Sequence, residues 1–171
     1  FETFAEQLAI YLSSKGWEVT VYCQKDSSGD ITTSTWQGIR LTHIPVTHSG
    51  AVGTIIFDWK ATYHALSQKG LFLTLGYNTA LFNLLQRLKG QTNIINMDGI
   101  EWHRDKWGAI AKTWFWLNER AGCWIGNHLV ADHPKIKAHL ATRVNAKKIT
   151  MIPYGGDDII DADSRLLAPY G

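Results

Sequence analysis

Apolar positions recur every three to four residues in five stretches of the chain, and short β-branched or leucine-rich runs separate them. Residues 1–15 place Phe1, Phe4, Leu8, Tyr11 and Leu12 on one helical face, with Gly16 as the stop. Residues 17–23 (WEVTVYC) alternate and are rich in β-branched and aromatic side chains, which predicts a strand. A turn at 26–30 (DSSGD) follows, then a short strand over 31–36 and a longer one over 38–45. The second helix is predicted over 49–69, with Val52, Ile55, Ile56, Trp59, Tyr63 and Leu66 on one face and Gly70 closing it. Leu71 to Leu75 is continuously apolar, the pattern of a strand covered on both faces. A turn at 76–78 leads to a third helix over 79–89, with Leu81, Leu84, Leu85 and Leu88 inward, and to a strand over 92–96. The fourth helix is predicted over 108–121, with Ile110, Trp114, Leu117 and Ala121 on one face. A strand over 128–131, a helix over 134–143 opened by Pro134, and a strand over 148–152 complete the pattern.

Strands and helices alternate, so right-handed crossovers and a parallel sheet covered by helices are expected: an α/β, doubly wound, Rossmann-like fold. Ligands of such sheets collect at the carboxyl ends of the strands. Asn78, Asp98 and Gly155 each follow a predicted strand and should share that rim. The pattern opens on a helix, whereas a doubly wound domain normally opens on its central strand. A first strand and its glycine-rich loop are therefore expected to be absent. That would leave a gap between the strand after the first helix and the strand after Gly70.

Composition narrows the class. A chain of 171 residues, 45% hydrophobic and 19% charged, can bury one sizeable core. Its net charge of +2, with no long basic run, argues against nucleic acid as a partner. No apolar stretch is long enough to cross a bilayer. Cys23 and Cys123 sit in apolar surroundings and read as inert thiols of a reducing, cytoplasmic compartment. Of eight tryptophans, five fall between 102 and 124, so this region is either an aromatic core or an amphipathic surface. Trp114 and Trp124 are assigned to core; Trp102 and Trp107 stay open.

The chemistry concentrates in 93–107 (NIINMDGIEWHRDKW), where ionisable groups of both signs follow a buried strand. Asp98 before Gly99 is either a reactive carboxylate or a cap on the next turn. Arg104 is suited to bidentate recognition of an anion, or pairs with Glu101 to hold the loop. His103 has the titration range of a general base, or is an ordinary exposed loop histidine. Asp98, Glu101 and His103 match no established metal-ligand spacing, so no metal is expected. Tyr77 and Asn78 offer hydrogen bonds at the neighbouring strand end, or simply form its turn. Glu119 and Arg120 read as a structural pair. No G-x-G-x-x-G lies between a strand and a helix, which disfavours a dinucleotide enzyme.

The segment FETFAEQLA at 1–9, with Leu12 and KGWEVTV at 15–21, resembles the opening of retaining family 4 glycosyltransferases of the GT-B fold. Glu2 matches the glutamate of their G-G-x-E motif, the two glycines falling upstream, and Trp17 stands where histidine is commoner. Residues 152–157 (IPYGGD) are similar to the I-P-N-G-V-D segment closing the N-terminal domain of these enzymes. LGYNT at 75–79, NMDGIEWHRDKW at 96–107 and LNER at 117–120 resemble a bacterial subgroup that includes rhamnosyltransferases building cell-surface polysaccharide.

The resemblance implies that residues 1–157 are the acceptor-binding, N-terminal half of a two-domain enzyme, with 158–171 beginning the interdomain segment. The implied partners are a nucleotide diphosphate sugar, a saccharide or lipid-linked saccharide acceptor, and the enzyme's own C-terminal domain, without a metal or other cofactor. The implied location is the cytoplasm, peripheral at the inner face of the plasma membrane, where the tryptophan-rich segment is either a membrane-facing patch or an aromatic core. Asp98 becomes the catalytic candidate, orienting the acceptor hydroxyl and easing off its proton. Tyr77, Asn78, Glu101, His103, Arg104 and Lys106 become acceptor contacts, and Glu2 and Gly155 donor-side or loop-anchoring residues. The fragment alone is expected to be inactive. Two other readings remain: a stand-alone Rossmann-like binding module, and half of a GT-B nucleotide-sugar epimerase.

Overall fold

The computed structural model describes residues 2–155. Helix α1 (Glu2–Ser14) ends on Gly16, whose φ of 84° suits only glycine, and Trp17 donates its backbone N–H to the Leu12 carbonyl at 3.1 Å. That helix-closing bond takes the segment after Gly16 out of the strand, so β1 starts three residues later than the alternation predicts, at Thr20–Asp26. β2 (Thr32–Trp36) and β3 (Ile39–Val46) follow as a hairpin. Next come α2 (Gly50–Ala65), β4 (Leu71–Leu75), a 3-10 turn (Ala80–Asn83) running into α3 (Leu84–Leu88), and β5 (Thr92–Asn96). The remainder is α4 (Ala109–Ile125), β6 (His128–Ala131), α5 (Pro134–Ala141) and β7 (Ile149–Met151).

The strands form two sheets. β4, β5, β6 and β7 lie side by side in chain order, all parallel, flanked by the helices of their crossovers, the arrangement expected of a Rossmann-like doubly wound fold. β1 pairs in parallel with β3, and β2 adds antiparallel to the other edge of β3. Among the described residues β1 and β4 share no ladder. The interruption thus falls between the strand after α1 and the strand after Gly70, where the sequence pattern places one. No helix among the described residues is long and apolar enough to cross a membrane.

The core lies under the second sheet, where Ile95, Met97, Leu129, Ala131 and Leu140 are buried together. α4 reaches it through Gly122. A Cβ there would lie 3.3 Å from the Ala80 Cβ and 3.3 Å from the Met97 sulfur, so Gly122 is a packing glycine and the helix continues through it to Ile125. Cys123 is buried beside it, and burial pushes its thiol up to about 11; the half-buried Cys23 thiol is raised for the same reason.

Several helices turn a different face inward from the one their apolar stripe suggests. On α4, Ile110, Leu117 and Trp124 are exposed, whereas Asn118 and Glu119 are fully buried. Trp124 is therefore a surface residue, lying against the Arg87 guanidinium, and not core. On α2, Val52, Ile55, Trp59 and Tyr63 are exposed and the small residues Gly53 and Ala65 are buried. Leu81 and Leu88 likewise face outward. The predicted third helix is divided into the 3-10 turn and α3, and the Leu81 N–H, one of the first-turn donors without an intrahelical acceptor, is satisfied by the Asn118 side chain at 3.0 Å.

α2 is tied to the turn after β4 by the Thr79 hydroxyl, which donates to Asp58 at 2.8 Å. Burial pushes the Asp58 carboxyl above its ordinary value, and the Thr79 bond only partly offsets this. A raised folded-state value means the protonated form suits the fold, so stability is lost as pH rises through that value. Asp58→Asn keeps an acceptor for Thr79 and removes the charge. It is expected to raise the melting temperature by about 2–4 °C at pH 7 and to change it little near pH 3, as differential scanning fluorimetry would read.

Candidate functional site

The carboxyl ends of β4, β5, β6 and β7 make one rim, and the segments leaving them carry the polar residues. After β4, Gly76 turns at φ 89° and donates its N–H to the Asn96 carbonyl at 3.0 Å, which binds the first two strand ends together. After β5, Met97 donates to the Val130 carbonyl at 2.8 Å, and after β6 the Ala131 carbonyl accepts from Ile152 at 2.8 Å. Asn78, Asp98 and Gly155 accordingly follow neighbouring strands on this rim.

The loop after β5 is held from below by two buried carboxylates. Glu101 is 8% exposed; its Oε1 meets the Arg104 Nε at 3.1 Å and its Oε2 accepts from the Trp107 indole at 3.0 Å. Glu119 is 1% exposed and takes three donors: the Trp102 indole at 2.6 Å, the Arg143 Nε at 3.0 Å and the His139 Nε2 at 3.0 Å. Burial alone would push the Glu119 carboxyl up, but the hydrogen bonds from Trp102, Arg143 and His139 outweigh it and hold the group below the ordinary glutamate range. Trp102 and Trp107 are thus fasteners, each indole N–H reaching one glutamate. The expected Glu119–Arg120 pair does not form, because consecutive helical residues diverge by about 100°. Arg120 instead lies over the Trp116 ring, 3.5 Å from its centre.

Tyr77 is 1% exposed, and its hydroxyl accepts the Glu101 backbone N–H at 2.8 Å. Burial, chiefly, raises the phenol far above its ordinary value, so it stays neutral. This corrects its assignment as an acceptor contact: no face of the ring is open to a ligand. Glu101 is corrected on the same ground, since both of its oxygens are engaged inside the loop.

The remaining candidates face outward. Asp98 is half-buried and makes no hydrogen bond or ion pair among the described residues, so it caps no turn. Its charge is felt by both the Tyr77 and Tyr154 hydroxyls. Arg104 meets Glu101 through Nε, with a side chain 52% exposed. His103 is exposed and sits edge-on to Trp102, ring centres 4.0 Å apart, and Lys106 lies over the Trp107 ring at 4.7 Å. Asn78 is exposed at its side chain, while its carbonyl accepts from the Trp114 indole at 2.8 Å. Glu2 lies exposed in the first turn of α1, and Gly155 is exposed with open space where a Cβ would be. Gly156 and Asp157 of the closing motif lie outside the described residues. No cluster of three or more His, Cys, Asp or Glu suited to a metal ion occurs among the described residues.

A family model described as "Domain of unknown function (DUF1972)" matches residues 1–157. The chain belongs to the DUF1972 family. No curated protein matches it. The match covers every strand and helix of this DUF1972 domain and the whole rim loop. Sequence reasoning missed three groups on the rim of the DUF1972 domain: Asn96, Asp132 and Tyr154. Each was visible as a polar residue at or just beyond a strand's carboxyl end, the criterion that singled out Asp98.

Proposed function

We propose that this DUF1972 domain is the acceptor-side half of a retaining glycosyltransferase, moving a sugar from a nucleotide diphosphate sugar to a lipid-linked, cell-surface polysaccharide. Asp98 carries the reading. It is a carboxylate without a hydrogen bond or ion pair among the described residues, at the rim where such folds bind ligands, on a loop held still by two buried glutamates. Preorganisation of this kind lets a carboxylate accept a hydrogen bond from a hydroxyl without first leaving another partner. In the transfer, the bond from the sugar's anomeric carbon to the diphosphate oxygen breaks and a bond to the acceptor oxygen forms. The acceptor proton leaves as that bond is made, and Asp98 orients and eases this step.

Arg104 and Lys106 stand on the same loop with exposed cationic ends, suited to the phosphates of a lipid-linked acceptor. The exposed stripe of Ile110, Leu117 and Trp124, beside Arg87, supports peripheral contact with a cytoplasmic membrane face. The departing nucleotide diphosphate would be met by cations and backbone N–H groups of a second domain, which the sequence resemblance implies.

The test is transfer by the full-length protein containing this domain. It is given a panel of nucleotide diphosphate sugars, the rhamnose donor first, with lipid-linked saccharide acceptors. The expected result is an acceptor heavier by one sugar, with the donor's anomeric configuration retained by NMR. Saccharide binding without transfer from any donor would favour the non-catalytic module, and epimerised donor without transfer the epimerase.

A further inference from the structure

We propose that Asn96, on the strand that leads to Asp98, and Asp132, at the end of the next strand, form a second hydroxyl-binding subsite on this rim, which grips a sugar ring through two hydrogen-bond acceptors. The ligand class rests on the transferase reading; the existence of the subsite does not. Asn96 ends β5, is 3% exposed, and donates from its Nδ2 to the Tyr154 hydroxyl at 3.0 Å. Its Oδ1 is buried and has no donor among the described residues. Asp132 directly follows β6, and its Oδ1 is likewise buried and without a donor among the described residues.

The two stand at the carboxyl ends of adjacent strands. Asn96 pairs with Val130 across the β5–β6 ladder, and the ladder runs on through the Met97 N–H to the Val130 carbonyl. Tyr154, leaving the adjacent β7, accepts from Asn96 and has its hydroxyl raised by burial first, with the charges of Asp98 and Asp132 adding to it. Three strand ends therefore converge on one spot.

A buried acceptor without a donor is costly, and native structures keep few of them without cause. Two on adjacent strand ends, at the rim where this architecture binds ligands, call for a ligand rich in O–H donors. A carboxylate and an amide carbonyl at the ends of adjacent strands suit the hydroxyls of one pyranose, each of which has one hydrogen to give. Tyr154 is 44% exposed, and its ring meets the Phe4 ring edge-on, centres 5.6 Å apart. An anion is repelled here by Asp132 and Asp98, so this subsite takes the saccharide part of an acceptor and leaves its phosphates to Arg104 and Lys106.

The experiment uses the full-length protein and a panel of methyl hexosides, with the side-chain amide signal of Asn96 followed by NMR. At least one hexoside is expected to shift that signal, and Asp132→Asn, which replaces a charged acceptor by an amide, to weaken binding by roughly tenfold or more. Where turnover is measurable, the KM for the acceptor rises and that for the donor does not. Failure of the transferase reading alone leaves hexoside binding intact and turnover absent. The proposal is overturned if no hexoside moves the Asn96 amide, or if binding is unchanged in Asp132→Asn. It is also overturned if magnesium or calcium alone shifts the signal and hexosides do not, which would make this a cation site. Should Asp132→Asn fail to fold, the wild-type hexoside titration still decides it.

Discussion

Asp98→Asn is expected, under the proposed transferase reading, to lower transfer by the full-length protein about 10²- to 10⁴-fold, the range a positioned proton acceptor contributes. Asparagine has nearly the same shape and can still accept a hydrogen bond, so acceptor binding is largely kept and the loss falls on kcat. What disappears is the negative charge that favours a departing proton. Because Asp98 makes no hydrogen bond or ion pair among the described residues, the substitution should leave the melting temperature unchanged. That separation of effects makes the result interpretable. Unchanged turnover in Asp98→Asn, with saturating acceptor, would remove the residue from the reaction.

Glu119→Ala acts on the scaffold. Removing one partner from a buried ionic network leaves the others uncompensated, which typically costs about 3–5 kcal/mol. Here the Arg143 and His139 side chains are 24% and 20% exposed, so water relieves part of the loss and the lower end applies. A melting temperature lower by roughly 6–12 °C is the expected reading. The Trp102 indole also loses its acceptor, so the rim loop should become the first segment to open, with faster hydrogen exchange at the Glu101 and His103 amides than elsewhere in the domain. The pH dependence has a definite sign. A carboxyl held below its ordinary value stabilises the fold fully above about pH 4.3, the unfolded value. That contribution is lost as pH falls through the lower folded value. Glu119→Gln should lack this acid-limb dependence while remaining less stable than wild type at pH 7. A variant as stable as wild type at neutral pH would show that the network contributes nothing net.

The rim was legible because the end of a parallel strand is marked in the chain itself: Leu75 before Gly76, Asn96 before Asp98, and Ala131 before Asp132 each close an apolar run with a polar or turning residue. Which polar residues face a ligand was not legible. Tyr77 and Asn78 are adjacent in a turn, yet one is buried under the Glu101 amide and the other is exposed. The sequence left Arg104 between binding an anion and pairing with Glu101; the structure forms the pair through Nε and leaves the Arg104 side chain half exposed.

The sequence by itself determined the succession of strands and helices, the parallel character of the sheet and the position of the polar loop after β5. Those follow from local periodicity, glycine stops and the handedness of crossovers, all contained in short windows. Only the tertiary structure decided which helix faces turn inward. α4 buries Asn118 and Glu119 because their partners, Leu81 and Arg143, arrive from 37 and 24 residues away, and it leaves the apolar Ile110 and Leu117 outside. A buried polar group is stable only where distant donors meet it. No window of one chain segment contains that information, just as none shows that the Asn96 and Asp132 Oδ1 atoms are buried without a donor among the described residues.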